Sequence, residues 1–200
     1  MTNKGLLIVF SGPSGSGKGT VLAEAMKRYP QMEFSVSATT RAPREGETDG
    51  VNYFFKTREE FLALTEENGF IEWAEFCGNC YGTPRAYVES RLAQGKDVIL
   101  EIEVQGAMQV KKAFPDSVLI FNLPPSMEEL KNRLVGRNTE SADVIENRLA
   151  TAKSELAVAD CYDYVIVNDT VDAAAEKFIS ILKSEKCRAA RNTMLLKEFK

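Results

Sequence analysis

Histidine occurs nowhere in the 200 residues. That absence removes imidazole as a general base, as a metal ligand and as a phosphate carrier. Long apolar runs are missing as well. No stretch reaches the roughly 20 residues that a helix needs to cross a bilayer, so no membrane partner is expected. Nor is there a basic excess: 25 Lys and Arg face 29 Asp and Glu, for a formal net charge of −4. An acidic chain is a poor general binder of nucleic acid, and no nucleic-acid partner is expected either. The apolar start "GLLIVF" is short and runs straight into a glycine loop. It reads as a strand rather than a secretion signal, which makes the cytoplasm the expected compartment. Cysteine is sparse, with four in the chain. Cys77-Gly-Asn-Cys80 has the spacing of a thioredoxin-like site or half a zinc site, but no second pair follows, and neither role is expected. Catalysis therefore falls to carboxylates, Lys, Arg, hydroxyls or a bound ion.

What is present is an ample core, with 44% hydrophobic residues in a chain of single-domain length. The runs 5–10, 97–103, 117–123 and 163–168 are short, nearly uninterrupted and rich in β-branched residues. Such runs fit parallel strands buried on both faces. Helical patterns lie between them at 19–29, 85–94, 105–113, 127–137, 142–159 and from 171 to the C-terminus. Ser126-x-x-Glu129 and Thr57-x-x-Glu60 are capping boxes, the second for a helix over 58–68. The alternation predicts an α/β fold with an open, mostly parallel sheet. Residues 34–83 break the pattern with shorter strands ("FSVSATT", "NYFF", "FIEWAEF") and read as a small α+β insertion with its own antiparallel strands. Residues 136–148 read as a short lid, which leaves 1–33, 84–135 and 149–200 as the core of one domain.

The loop "SGPSGSGKGT" (11–20) contains Gly12-x-x-x-x-Gly17-Lys18, the frame of a phosphate-binding loop. It follows a predicted strand and opens a predicted helix, as the motif requires. The glycines let successive N–H groups turn inward and approach phosphate oxygens closely. Gly12, Pro13, Ser14, Gly15, Ser16, Gly17, Lys18, Gly19 and Thr20 are therefore the expected ATP-binding segment, with Lys18 placed on the β and γ phosphates. Gly19 stands where a metal-binding hydroxyl is usual, and Thr20 follows it. Mg²⁺ would then rest mainly on the ATP phosphates and water. The "GKGT" spelling resembles that of adenylate kinase locally.

In "FIEWAEFCGNCYGTPR" (70–85) a Gly78-Asn79 pair predicts a two-residue hairpin turn, with Cys77 opposite Cys80 and residue 74 opposite 83. Strand alternation then puts Glu72 on one face with Tyr81 and Thr83, and turns both cysteines to the other. A carboxylate beside a hydroxyl suits guanine, whose N1–H and N2–H₂ are adjacent donors. "SVSATTRAPR" adds Ser37, Arg41 and Arg44, and two arginines can clamp a monophosphate.

The segments "FSGPSGSGKGT", "FSVSATTRAPREGE", "GVNYFF", "FIEWAEFCGNCYGT", "EIEVQG" and "VIVND", in that order, resemble bacterial guanylate kinase from about Leu6 to Asp169. The resemblance implies a P-loop nucleoside monophosphate kinase fold, in which a GMP-binding insertion and a lid adorn a central parallel sheet. It implies ATP and GMP as substrates and Mg²⁺ as the metal. By resemblance, Ser37, Glu72 and Thr83 would read guanine, while Arg41, Arg44, Tyr53 and Tyr81 would bind the GMP phosphate. Arg133, Arg137 and Arg148 match the lid and catalytic arginines, and Asn168 matches the end of the adenine-side strand. Glu101-Ile-Glu103 stands where family members often carry Asp-Ile-Asp. Glu103 would face GMP, and Glu101 would reach the metal through water. Asn138 replaces a common glycine.

Such a reaction needs no general base, because a monophosphate with its second pKa at about 6 is already anionic at neutral pH. Charge neutralisation and alignment suffice. Lys18, Arg41, Arg137 and Arg148 are the candidates for that work, although Arg133, Arg137 and Arg148 could instead pair with Glu128, Glu129 and Glu146. Two other readings remain: a guanylate-kinase-like peptide-binding scaffold, disfavoured by Lys18 and both acceptor arginines, and an adenylate or thymidylate kinase, disfavoured by Glu72 and Thr83. A homo-oligomer is compatible with the pattern.

Overall fold

The structure is a computed structural model in which residues 4–136 and 142–199 are described. Its chain forms two compact units, one of residues up to Val9 with Met32–Ser117, the other of Phe10–Gln31 with residues from Val118 onward. Strand β1 (Leu7–Ser11) carries the chain from one unit into the other, and all five of its residues are buried. The sheet it belongs to has the order β2-β7-β1-β8-β9, where β2 is Met32–Phe34, β7 Asp97–Glu101, β8 Val118–Leu123 and β9 Tyr164–Val167.

In the first unit, β2 pairs in parallel with β7, Met32 opposite Asp97 and Phe34 opposite Ile99. Helix α3 (Arg85–Ala93) packs on β7 through its buried Val88 and Leu92. A second sheet has the order β4-β3-β6-β5, from Phe54–Phe55, Ala38–Thr39, Asn79–Pro84 and Phe70–Phe76. Its small core joins Ala38, Phe61, Phe70 and Cys80, with the Phe61 and Phe70 rings stacked at 4.3 Å. Phe61 belongs to α2 (Arg58–Glu66), and the Thr57 box that starts this helix is complete. The Thr57 hydroxyl accepts from Glu60 N–H at 3.1 Å, and the Glu60 carboxylate accepts from Thr57 N–H at 2.9 Å. Helix α4 (Val104–Ala113) packs on β5.

In the second unit, β8 and β9 pair in parallel with Ile120 opposite Tyr164. Helix α1 (Lys18–Arg28) packs on α7 (Val171–Lys186), whose buried Ala174, Phe178 and Leu182 recur at helical spacing. Phe10 meets Phe178 edge to face at 5.1 Å. Helices α5 (Met127–Val135) and α6 (Ala142–Leu156) share Leu130, Leu134 and Ala152 as a cluster. Leu195 and Leu196 of α8 (Thr193–Lys197) are exposed.

Four sequence expectations are corrected. "FSVSATT" is not one strand of the small sheet: Met32–Phe34 pairs in the main sheet, and only Ala38–Thr39 joins the other. The small sheet is not wholly antiparallel, since β3 and β4 run parallel. The hairpin turns at Cys77-Gly78, both with positive φ, so that Ala74 faces Tyr81 and Phe76 faces Asn79. That register seats Cys80 in the apolar cluster and leaves Cys77 exposed in the turn; both thiols are free. The C-terminal helix stops at Lys186. Beyond it, the Arg188 and Arg191 guanidiniums turn back onto the buried Glu185.

Candidate active site

The phosphate loop lies wholly in the second unit. Gly12 has φ +146°, and a Cβ there would come within 2.3 Å of the Asn122 carbonyl oxygen. Gly17 caps α1 at φ +88°, and a Cβ would lie 2.5 Å from Asn168 Nδ2. Any side chain at either position would collide with the loop's support. Because Gly17 offers no side-chain cap and the first turn of α1 holds no acid, that helix N-terminus is left to an outside anion. Lys18 Nζ donates to the carbonyls of Gly12 at 2.6 Å and Pro13 at 3.2 Å, which folds its ammonium over the loop. Ser16 N–H closes a turn onto Pro13 O at 3.0 Å.

The Ser16 carbonyl is the loop's anchor. It accepts from Asn168 Nδ2 at 2.8 Å, Asn122 Nδ2 at 2.9 Å and Arg133 Nη1 at 3.3 Å. Arg133 also donates to Asn168 O at 3.2 Å and to Glu129 at 2.8 Å. It therefore makes the helix-surface pair as well as a contact with the loop. Glu129 is thereby drawn to Arg133, and among the described residues the Ser126 capping box keeps its forward half, the Ser126 hydroxyl accepting from Glu129 N–H at 3.0 Å. Arg148 Nη1 donates to the Ser14 hydroxyl at 3.2 Å. Arg137 and Asn138 lie outside the described residues.

The acceptor residues lie in the first unit. Glu72 on β5 is only 8% exposed and accepts from the Thr83 hydroxyl, across on β6, at 2.6 Å. Gly106 of α4 makes the room: a Cβ there would stand 3.0 Å from Glu72 Oε2. Burial raises the Glu72 carboxyl above its ordinary range, against the Thr83 hydrogen bonds that favour its charge. A cavity of about 380 Å³ is lined by Ser37, Asn52, Tyr53, Thr83 and the exposed Glu101, among others. Glu72 is not in its lining, although its partner Thr83 is; Glu72 lines a second cavity of about 400 Å³ with Trp73, Arg85 and Gln109.

Arg41 lies with its guanidinium 5.4 Å from the Tyr53 ring centre, and Tyr53 is 6.2 Å from Tyr81, edge to face. The Glu47 carboxylate takes Arg41 Nη2 at 2.8 Å and the backbone N–H of Arg44 at 2.7 Å. Arg41 beside it holds Glu47 below the usual carboxylate range. Arg44 joins the group through its backbone, and Glu103 is an exposed residue at the start of α4.

Three functional-looking residues escaped the sequence reading. Glu47 could have been noticed as an acid spaced three and six residues from the two arginines. Asn122 is the one polar residue in the run "VLIFNL". Glu185 has the same three-and-six spacing to Arg188 and Arg191, but nothing local shows that it is buried.

Among the described residues no group of three or more His, Cys, Asp or Glu is placed to hold a metal. The exposed Thr20 hydroxyl stands in the first turn of α1, two residues from Lys18. That sparse donor set fits a hard cation that arrives on nucleotide phosphates and keeps most of its water.

A glycine loop between a buried strand and a helix, closed by a lysine, defines a P-loop nucleotide-binding protein of the α/β class. The family model described as Guanylate kinase matches residues 4–185. A guanylate kinase of Bacillus anthracis is 58% identical over 198 residues, 98% of this chain and 97% of that one. One from Desulfitobacterium hafniense is 57% identical, covering 94% of each chain. The crystal structure of guanylate kinase from Anaplasma phagocytophilum superposes with a TM-score of 0.73 at 36% identity, covering 94% of this chain and 90% of that one. The chain belongs to the guanylate kinase family.

Proposed function

We infer that this chain transfers the γ-phosphoryl group of ATP to GMP, and more weakly to dGMP, giving ADP and GDP in purine nucleotide recycling. The observation that carries the acceptor assignment is the buried Glu72 carboxylate bonded to Thr83. A carboxylate whose charge burial opposes gains most from a ligand with two adjacent donors, and guanine offers N1–H and N2–H₂ side by side. Adenine presents a lone pair at N1 and would leave the charge unmet. Ser37 completes the base contacts, and Glu103 is assigned to the same ligand.

The GMP phosphate is assigned to Arg41, Arg44, Tyr53 and Tyr81. The ATP phosphates are assigned to Gly12–Thr20 with Lys18, and the adenine side to Arg133 and Asn168. Lys18, Arg41, Arg137 and Arg148 supply positive charge as the phosphoryl group moves. Mg²⁺, when bound with ATP, neutralises the β and γ oxygens; Thr20 offers it a hydroxyl and Glu101 a water-mediated carboxylate. Both substrates are cytoplasmic metabolites, and the cytoplasm is the compartment proposed. No described helix is long and apolar enough to span a membrane.

A coupled kinase assay across GMP, dGMP, AMP, CMP and UMP tests the reading. GMP is expected to exceed AMP in kcat/KM by about 10⁴, as for sites that hydrogen-bond a specific edge. Equal use of AMP would sink the guanine assignment.

A further inference from the structure

We propose that Asn122 is a positioning residue for the nucleotide phosphates: it holds the Ser16 carbonyl turned away from the ligand and so aims the Gly17 N–H toward it. The proposal rests on the phosphate-loop reading above. Asn122 sits in β8, fully buried, in a run that is otherwise apolar. Its Nδ2 donates to Ser16 O at 2.9 Å and Ser16 Oγ at 3.1 Å, while its Oδ1 has no partner among the described residues. Leucine has almost the same shape and would fit the apolar run. What the amide adds is its bonds to Ser16. Nor can the amide be turned round, since Oδ1 would then face the carbonyl oxygen and acceptor would meet acceptor.

The effect on the ligand follows from peptide geometry. In a planar trans peptide the C=O and the next N–H point in opposite directions. Pulling Ser16 O down onto Asn122 and Asn168 therefore pushes Gly17 N–H up. Gly17 is the N-cap of α1 and its φ of +88° belongs to the left-handed region, so this peptide is where the loop's direction is set. Asn168 makes the matching bond from the position after β9. The two amides grip one oxygen from the ends of paired strands. Their job is to keep an anion-binding array of N–H groups aligned before the anion arrives. The charged groups nearby are Lys18 on the loop, Arg133, itself paired with Glu129, and Arg148, which donates to Ser14.

Two variants test this by ADP titration calorimetry, with GMP titration and thermal unfolding alongside. Asn122→Leu is expected to keep the ligand-free melting temperature and the GMP Kd within twofold, while the ADP Kd rises tenfold or more. Asn122→Asp removes the amide donor and, at pH values alkaline enough to ionise the buried carboxyl, sets a negative charge against the Ser16 oxygen, so that ADP binding there should be weaker still. At acidic pH the protonated Asp regains a donor, so its ADP affinity, taken as a ratio to the natural chain at each pH, should recover. An ADP Kd within twofold of the natural chain in Asn122→Leu would overturn the proposal. So would equal loss of ADP and GMP binding in step with lost stability, or an Asp ratio that does not change with pH. If the natural chain binds no ADP, the phosphate-loop reading fails and this proposal with it. If it binds and the variants match it, only the role of Asn122 fails.

Discussion

Glu72 puts a carboxyl where burial works against its charge, with the Thr83 hydroxyl donating to it. In the free protein the neutral acid is favoured relative to an unfolded chain, so Glu72 lends stability below its ordinary range. That contribution is lost as pH rises through its raised folded value. A ligand with two donors favours the anion instead. Guanosine, which has no titrating phosphate, should therefore bind more weakly as pH falls through the raised Glu72 value, and a pH series by calorimetry would show it. Glu72→Gln should flatten that profile and lower kcat/KM for GMP by about 10²–10⁴, with the KM for ATP little changed. Equal losses for both substrates would make Glu72 a structural residue. Lys18→Ala should cut kcat by about 10²–10³, the scale of removing one charge-stabilising donor. The fold should survive, because its ammonium bonds loop carbonyls and not the core.

At the end of α7, stability leans on a buried charge. Glu185 is 2% exposed and accepts from Tyr164 Oη at 2.6 Å and from Arg191 Nη2 at 3.0 Å, with Arg188 at 3.3 Å. Burial pushes its carboxyl up, but these donors outweigh burial and leave it below the usual range. A depressed carboxyl stabilises the fold above its unfolded value and loses that contribution as pH falls through its folded one. Glu185→Gln should destabilise the protein by about 1–3 kcal/mol at pH 7, and the gap to the natural chain should close in acid. Denaturant unfolding over a pH series from 7 down into acid would measure both. The same element shows where sequence reading ends. The strands β1, β7 and β8 were legible because parallel strands buried on both faces leave continuous apolar runs; β9 has an apolar run too, but it is an edge strand with only Ile166 buried. The glycine loop was legible because close approach admits no side chain. Strand β2 was missed because three residues carry too little pattern to show their sheet. The hairpin register moved because Cys80 packs with Phe61 and Phe70, a contact that no local turn rule contains. Glu185, Asn122 and Glu47 depend on partners far along the chain or across a loop, and composition is silent about those.

Across the whole molecule, the residues assigned to the two substrates fall in separate units: the GMP group in residues 32–117, the loop and its anchors in 10–31 and 118–200. GMP alone should slow hydrogen exchange in Ser37–Thr83, and ADP alone in Gly12–Thr20. Protection of both segments by either single ligand would contradict this partition. Phosphate release from ATP should stay low until GMP is added, since charge-stabilising groups are assigned to both ligands. Rapid hydrolysis without GMP would count against that gate. The chain also passes between the units at Val9, Gln31 and Ser117, so neither is built from one continuous stretch. On the ribosome this imposes an order. All residues of the GMP-side unit have been made once Ser117 is added. The phosphate loop, synthesised long before, must wait for Asn122, then Arg133, then Asn168 to hold its Ser16 carbonyl. At about 5–20 residues per second, the loop spends roughly 7–30 seconds of each synthesis without its last anchor. A nascent chain can therefore have every residue that recognises its acceptor before it can grip its donor.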